Sequence, residues 1–289
     1  LPNVGSPGIT FGGEQSDHPI SMVPSNCRCG RCQIAESKHF RVHFCSSTEE
    51  VSKLATDCEK HLSHFHEQWF GKAEPWTIRC DIVVHPNVAS YRGYLGPGSE
   101  RTSGCSTIGI DKGKVTQRRI DLRRDAVDWK SESLPHEITH VALAERFSTT
   151  RIPAWADEGI AMLAESPEKL QTRLLELRRL NQQGHSIGPR KLVDLRNGPA
   201  PGMWGVFYGE SVLFTGLLLD KGNPEDLLTF IELGEKKGYS EALRKVYGVS
   251  SWQALEADWN NYSVSDNVRR LSGHHVREPL IEQVSITDP

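Results

Sequence analysis

Hydrophobic and polar positions in residues 37–130 follow both strand and helix periods. Residues 39–44 place an apolar side chain at every second position, as a half-buried strand does. Polar helix-start residues follow at 47–50, and apolar residues then recur on one helical face as far as Phe70, which predicts a long amphipathic helix. Further strands are predicted at residues 77–84, 105–110 and 115–122.

Residues 131–264 show the helical period almost throughout. Apolar side chains recur three or four positions apart in segments separated by turn residues. The predicted helices span residues 132–147, 154–165, 167–182, 208–220, 224–237 and 251–262. The expected fold class is therefore α+β, with an α/β half at residues 37–130 followed by a helical half at residues 131–264.

Three segments show no such period. Residues 1–36 are rich in Cys, Gly and Pro and are predicted to form an irregular N-terminal arm. Residues 265–289 are polar and unpatterned and are predicted to form a C-terminal tail. The segment from Pro86 to Gly104 is predicted to be a long loop, of a kind that is often functional or mobile.

Composition narrows the class of protein without changing this outline. The 289 residues include 37% hydrophobic and 25% charged residues, which is ordinary for a globular protein with a sizeable core. The formal net charge of −3 argues against nucleic acid as the main partner, because binding to phosphates relies on a basic surface. The longest apolar stretch, Val212 to Leu219, is too short for a membrane span, which needs about 20 residues.

All seven cysteines lie between residues 27 and 105. This asymmetry favours disulfides in an exported protein over thiols scattered through a cytosolic one. The sequence begins at Leu1 and not at methionine, which indicates that a preceding segment was removed, in preparation of the protein or by a signal peptidase. We therefore expect an extracytoplasmic protein, secreted or periplasmic. The odd count leaves at least one cysteine free or paired outside this sequence.

Individual cysteines leave alternatives open. Cys27, Cys29 and Cys32 have the spacing of half a zinc knuckle, but no second half follows at matching spacing, so disulfides or redox-sensitive thiols are favoured. Cys45 and Cys80 lie at the ends of predicted strands and are a candidate disulfide pair.

The segment His136-Glu137-Ile138-Thr139-His140 carries the strongest chemical signal in the chain. Residues i and i+4 share one face of a helix, so the two histidines can present two imidazoles to one metal ion. The glutamate points about 100° away from the first histidine and can reach a water molecule beside the metal ion. Zn²⁺ lowers the pKa of such a water towards about 7, and the carboxylate can accept its proton. Two solvated histidines on a helix surface are the alternative.

A catalytic zinc ion usually takes a third protein ligand and leaves one position for water. Asp157 and Glu158 are the candidates, in the first turns of a helix predicted to begin after Pro153. Neighbouring helix positions point about 100° apart, so only one of the two carboxylates can face the metal ion. The spacing leaves the choice between them open.

These residues resemble the gluzincin branch of zinc metallopeptidases. His136-Glu137-x-x-His140 is followed by Glu158 within Pro-x-Trp-x-x-Glu-Gly-Ile-Ala, and the combination most resembles the peptidase MA-like domains over residues 37–262. The resemblance implies a zincin-like fold, in which a mixed α/β sheet half packs on a helical half with one Zn²⁺ per chain in the cleft. It implies Glu158 as the third ligand and Glu137 as the general base. Residues 115–122 are the candidate for the edge strand along which substrate lies.

Two features depart from the family. Pro135 directly precedes the first histidine, and proline in a helix interior removes a hydrogen bond and clashes with the preceding turn. The helix that carries the histidines is therefore expected to begin at about Ser133. Residues 1–36 resemble nothing in the family.

Tyr208 resembles the tyrosines that follow the third ligand in gluzincins, and it is the candidate to polarise the substrate carbonyl. The alternative is an aromatic residue at a helix start that packs on Trp204. Asp157 or Glu165 could orient the imidazoles, but a solvated or capping role is the simpler interpretation. The remaining histidines considered are expected to be solvated: His61, His64, His66, His185, His274 and His275.

The expected function is zinc-dependent hydrolysis of a peptide or protein substrate by a metal-activated water. One alternative is an exported binding or scaffold module that keeps the fold and hydrolyses nothing. Another is a latent peptidase that residues 1–36 inhibit.

Overall fold

The computed structural model describes residues 19–25, 32–71, 76–196, 198–264 and 271. Within these residues the fold class is α+β, with a mixed six-stranded sheet and helices that dominate after residue 124. The strands are β1 (Ser21–Val23), β2 (Gln33–Glu36), β3 (Phe40–Phe44), β4 (Cys80–His85), β5 (Gly104–Asp111) and β6 (Lys114–Arg123). The α-helices are α1 (Thr48–Trp69), α2 (Val88–Leu95), α3 (Leu134–Arg146), α4 (Ala154–Met162), α5 (Pro167–Gln182), α6 (Pro189–Asp194), α7 (Trp204–Lys221), α8 (Pro224–Lys237), α9 (Tyr239–Tyr247) and α10 (Trp252–Val264). A 3-10 turn spans Ser99–Arg101, and a π-helical turn spans Trp129–Ser133.

The order of strands in the sheet is β1-β2-β3-β4-β6-β5. Strands β3, β4 and β6 run parallel, and β5 pairs antiparallel with β6 through a tight turn. Lys112 and Gly113 in that turn have φ values of 49° and 73°, the left-handed backbone that a two-residue hairpin turn needs. Because β6 lies inside the sheet against β4, β5 is left at the edge. The prediction that residues 115–122 form the edge strand is therefore wrong.

Helix α1 confirms the predicted amphipathic helix and packs against β2, β3 and α3. Ser47 caps its N-terminus by accepting a hydrogen bond from the amide of Glu50 at 3.2 Å. His66 lies on the packed face, is only 2% exposed and stacks on Phe70 with a ring-centroid distance of 5.7 Å. The expectation that His66 is solvated is wrong, because its helix face is covered by the rest of the fold.

Part of the predicted irregular arm belongs to the sheet. Of residues 1–36, those at 19–25 and 32–36 are described, and they contain β1 and β2, which extend the sheet antiparallel beyond β3. Their backbone groups are satisfied by partners distant in sequence, so no local pattern predicts them. The prediction of irregular structure is wrong for these two strands, while residues 1–18 and 26–31 lie outside the described part of the chain.

A disulfide joins Cys32 to Cys45. The β2–β3 register places Gln33 opposite Phe44, so residues 32 and 45 are the next pair along. The candidate pair Cys45–Cys80 is wrong, because Cys80 lies beside the first residue of β3 and Cys45 follows the last. Cys58, Cys80 and Cys105 are free thiols. Cys27 and Cys29 lie outside the described residues.

The segment from Pro86 to Gly104 is not a continuous loop, contrary to the prediction. It contains α2, whose N-cap Asn87 accepts a hydrogen bond from the Ser90 amide at 3.0 Å, and the 3-10 turn. Tyr91 is the only buried residue of α2, so the helix carries little apolar periodicity. The short helices α6 and α9 were also not predicted.

Local signals set the bounds of several later helices. Helices α5 and α8 span the predicted residues, because Ser166 and Asn223 cap their first turns and a proline follows each cap. Helix α7 begins at Trp204, earlier than predicted, and α4 ends earlier, at Met162. No helix among the described residues is long and apolar enough to cross a membrane. Leu271, the one described residue of the predicted tail, is fully buried.

Gly159 allows α4 and α7 to approach closely, and its replacement tests this packing. A Cβ atom at residue 159 would lie 2.2 Å from Thr215 Oγ1 and 2.7 Å from the Ser211 carbonyl oxygen. We expect Gly159→Ala to lower the free energy of unfolding by about 1–3 kcal/mol, because it overpacks the contact between the helices. Urea denaturation measures the change.

Gly93→Ala is the matched control, since Gly93 lies in α2 and no described atom lies within 4 Å of its Cβ position. Because alanine has a higher helix propensity than glycine, Gly93→Ala should leave the free energy of unfolding unchanged or raise it by up to about 1 kcal/mol. Equal stabilities of the two variants would contradict the close packing at Gly159.

Candidate metal centre

Helix α3 presents two imidazoles on one face. It begins at Leu134 with Pro135 in its first turn, where the missing amide proton is tolerated, so the helix begins one residue from where the sequence placed it. His136 and His140 then lie one turn apart, with their Nε2 atoms 3.2 Å from each other. Two imidazole nitrogens bound to one tetrahedral zinc ion, each at about 2.0–2.1 Å, lie about 3.3 Å apart. The pair therefore has the separation of two ligands of one metal ion.

Glu158 on α4 completes a group of three ligand atoms. Its Oε2 lies 3.6 Å from His136 Nε2, and the three ligand atoms of His136, His140 and Glu158 all lie within 4.8 Å of one another. Helix α4 packs directly against α3, which brings the carboxylate to the imidazoles. This group could hold a metal ion, and it is the only such cluster of His, Cys, Asp and Glu in the part of the chain that the structure describes.

Two further carboxylates lie beside the other nitrogens of the imidazoles. Asp157 Oδ1 lies 2.8 Å from His140 Nδ1, and Glu165 Oε1 lies 3.0 Å from His136 Nδ1. A carboxylate at Nδ1 favours the tautomer whose Nε2 lone pair is free to bind a metal ion. The simpler interpretation of Asp157 and Glu165, as solvated or capping residues, is therefore wrong. Asp157 and Glu158 point in different directions, as adjacent helix positions must.

The carboxylates of this cluster favour positive charge at the imidazoles, carried either by protons or by a metal ion that displaces them. Burial opposes protonation of both rings, but the carboxylates outweigh it and raise the pKa of His136 to about 10 and that of His140 to about 9. Burial likewise opposes ionisation of Glu165, yet His136 and Arg173 hold the pKa of that carboxyl well below its usual range. Two imidazoles with one carboxylate are a donor set that suits Zn²⁺. The residues present therefore fit the metal ion that the sequence suggests.

Glu137 lines the same cavity as the three ligands and contacts the edge strand. Its carboxylate is largely buried, and its Oε2 accepts a hydrogen bond from Ser106 Oγ at 2.5 Å. A Cβ atom at Gly104 would lie 2.7 Å from Glu137 Oε1, so glycine leaves room for the carboxylate. Residues 104 and 106 share one face of β5. Neither Gly104 nor Ser106 was predicted as a site residue. Their only signal in the sequence is the i, i+2 spacing on a predicted strand, and that spacing does not show which helix the strand contacts.

Tyr208 lines the same cavity from the first turns of α7. Its ring lies 5.6 Å from Trp204 between centroids, and the Arg173 guanidinium lies 5.7 Å from the ring. The packing on Trp204 that the sequence offered as an alternative is therefore present, and the residue also faces the metal group. Burial, followed by the charge of Glu158, raises the pKa of the Tyr208 hydroxyl, which keeps it protonated.

The predicted residues meet in a cavity of about 580 Å³ between the edge strand and the helices α3, α4, α5 and α7. The cavity is lined by the five predicted site residues, by the first residues of β5 and by Glu165, Lys169 and Arg173. His185 is exposed, as predicted. His274 and His275 lie outside the described residues.

Comparison with models of protein families finds no match, and comparison with curated proteins finds no significant match either.

The carboxylates at Nδ1 give a test that does not depend on activity. Removing the charge with Asp157→Asn or Glu165→Gln is expected to weaken zinc affinity by about 10–100-fold, because such partners orient the ligands and raise their basicity. Competition with a chromophoric chelator measures the affinity. Glu168→Gln, an exposed position in the first turn of α5, is the control and should bind zinc as the unaltered protein does. Unchanged affinity in both test variants would contradict their orienting role.

Proposed function

We propose that this protein is a zinc-dependent peptidase of gluzincin type with a zincin-like fold. The observation that carries the proposal is the meeting of His136, His140 and Glu158 in one ligand group, with Glu137 in the same cavity. The helical spacing alone is also compatible with solvated histidines. The convergence of a third ligand from α4 and two orienting carboxylates favours a metal centre over that alternative.

His136, His140 and Glu158 are the residues that would hold one Zn²⁺ per chain. When bound there, this ion supplies Lewis-acid activation of water and of the scissile carbonyl. Glu137 acts as general base: with Oε2 held by Ser106, Oε1 accepts the proton of the attacking water and passes it to the leaving nitrogen. The protonated Tyr208 hydroxyl donates to the carbonyl oxygen as negative charge develops on it.

Strand β5 supports binding of an extended peptide. It is the edge of the sheet, its first residues line the cavity, and no strand among the described residues pairs with one row of its backbone groups. A substrate segment that pairs with this row would lie beside Glu137. The substrate class is therefore peptide or protein. The location that we propose is extracytoplasmic, which the Cys32–Cys45 disulfide supports.

The latent-enzyme alternative finds no support in the described part of the arm. Strands β1 and β2 lie at the opposite edge of the sheet from β5, and none of their residues lines the cavity. The binding-module alternative leaves the buried carboxylate of Glu137 and its contact with Ser106 without a role.

Glu137→Gln separates metal binding from catalysis. We expect this variant to keep about one zinc ion per chain, because residue 137 is not a ligand, and to hydrolyse a peptide library at least about 100-fold more slowly. His140→Ala is the matched variant, and it should lose the zinc ion as well as activity. Elemental analysis of protein purified without chelators measures the zinc. Hydrolysis by Glu137→Gln at near the normal rate would rule out the mechanism.

Ser106→Ala tests the hydrogen bond that positions the base. We expect kcat to fall by about tenfold with KM little changed, because Ser106 acts on Glu137 and not on substrate. Ser106→Thr retains the hydroxyl and should recover most of kcat. Thr107→Ala, at the adjacent exposed position of β5, is the control. A rise in KM with unchanged kcat would assign Ser106 to substrate binding instead.

A further inference from the structure

One cation that lines the cavity forms no ion pair with the residues that the structure describes. Three basic residues line that cavity: Arg101, Lys169 and Arg173. Lys169 Nζ lies 3.1 Å from Glu165 Oε1, and Arg173 Nε lies 2.8 Å from Glu165 Oε2. These two side chains are therefore both paired with one buried carboxylate, which also faces an imidazole. Arg101 is exposed and forms no ion pair with any described residue; the charge that acts on it most directly is that of its neighbour Glu100, which does not line the cavity.

The backbone that carries Arg101 is held in place. Arg101 ends the 3-10 turn that leads into β5. Nη1 of Arg123 donates to the carbonyl oxygens of Glu100 and Thr102, at 3.1 and 3.2 Å, and the Thr102 amide donates to the Ser99 carbonyl oxygen at 3.0 Å. A side chain that extends from a fixed backbone gives up little more than its own rotamer freedom when it binds a ligand.

The acidic groups of the cavity are already engaged. The Glu137 carboxylate accepts from Ser106, and Asp157 lies against His140 Nδ1. Glu158 belongs to the ligand group, and Glu165 is held by its own cations. No cavity carboxylate is left to pair with Arg101, so its exposed guanidinium is available to an anionic group of a ligand. A guanidinium matches a carboxylate best, because the two planar groups form parallel hydrogen bonds.

We propose that Arg101 binds a carboxylate of the substrate, and so selects peptides that carry one, a proposal that builds on the peptidase function above. An acidic side chain and a free C-terminus offer the same group. Arg101 lies three residues before Gly104, which contacts the base Glu137, so this carboxylate would bind on the edge-strand side of the cavity.

Binding to an inactive variant tests the proposal without requiring turnover. The full chain carrying Glu137→Gln is titrated calorimetrically with three sets of octapeptides. The first is amidated with one Glu moved through each position, the second is amidated with Gln at the same positions, and the third has neutral side chains and a free C-terminus. We expect at least one carboxylate peptide to bind about tenfold more tightly than its neutral counterpart, and Arg101→Gln in the same background to abolish the difference.

Arg179→Gln is the matched control, because Arg179 is an exposed cation of α5 that does not line the cavity. It makes the same change in net charge and should leave the preference intact. Arg101→Lys keeps the charge without the planar fork and should retain part of the preference.

The outcomes separate the two carboxylate sources and the two proposals. Preference for the Glu peptides assigns Arg101 to an acidic side chain, and preference for the free-acid peptides assigns it to the C-terminus; either supports the proposal. Equal binding of charged and neutral peptides overturns it, as does a preference that survives Arg101→Gln. An Arg101-dependent preference in a protein whose unaltered form hydrolyses no peptide would refute the peptidase function and leave the carboxylate site standing.

Discussion

The ion pairs of the buried Glu165 carboxylate are the interactions on which the candidate metal centre depends. The Glu165 side chain is only 1% exposed, and an anion in such surroundings is stable only if it is paired. The partners come from separate helices: His136 belongs to α3, and Lys169 and Arg173 belong to α5. Glu165 follows α4, so one carboxylate connects three helices at the cavity wall. Arg173 extends the connection to α7, where its guanidinium lies against the ring of Tyr208. Loss of the Glu165 charge would therefore disturb both the His136 imidazole and the cavity wall that Tyr208 forms.

The sheet supplies the other half of the centre through its edge strand. Glu137 is placed by its helix but held by β5, where Gly104 provides space and Ser106 a hydrogen bond. The β5–β6 hairpin decides which residues of β5 face Glu137, because a shift of one residue would turn Ser106 to the other face of the sheet. The candidate metal ligands therefore come from packed helices, whereas the environment of the proposed base comes from strand register. Under the proposed function, a peptide bound at the same edge would be aligned by the strand that contacts Glu137.

Prediction from sequence succeeded where structure is set by nearby residues. The bounds of α5 and α8 follow from a capping residue and a proline, both of which act within one helical turn. Prediction failed where a partner lies far along the chain. Strands β1 and β2 have too few residues for a pattern of their own: β2 is stabilised by pairing with β3, and β1 by pairing with β2. The Cys32–Cys45 disulfide follows from that same pairing. Strand β6 was predicted to be the edge strand, and only its pairing with β4 shows that it lies inside the sheet.

The same contrast between local signals and distant contacts applies to the candidate site. Local spacing is enough to place His136 and His140 on one face of a helix, because the i, i+4 relation is a property of the local backbone. It also restricted the third ligand to two adjacent carboxylates, and family resemblance favoured Glu158. Tertiary structure alone decided that Asp157 turns to His140 Nδ1, that Glu165 turns to His136 Nδ1, and that β5 contacts Glu137. Each of these contacts joins different elements of the fold, and their relative placement is set by packing, which no local spacing encodes.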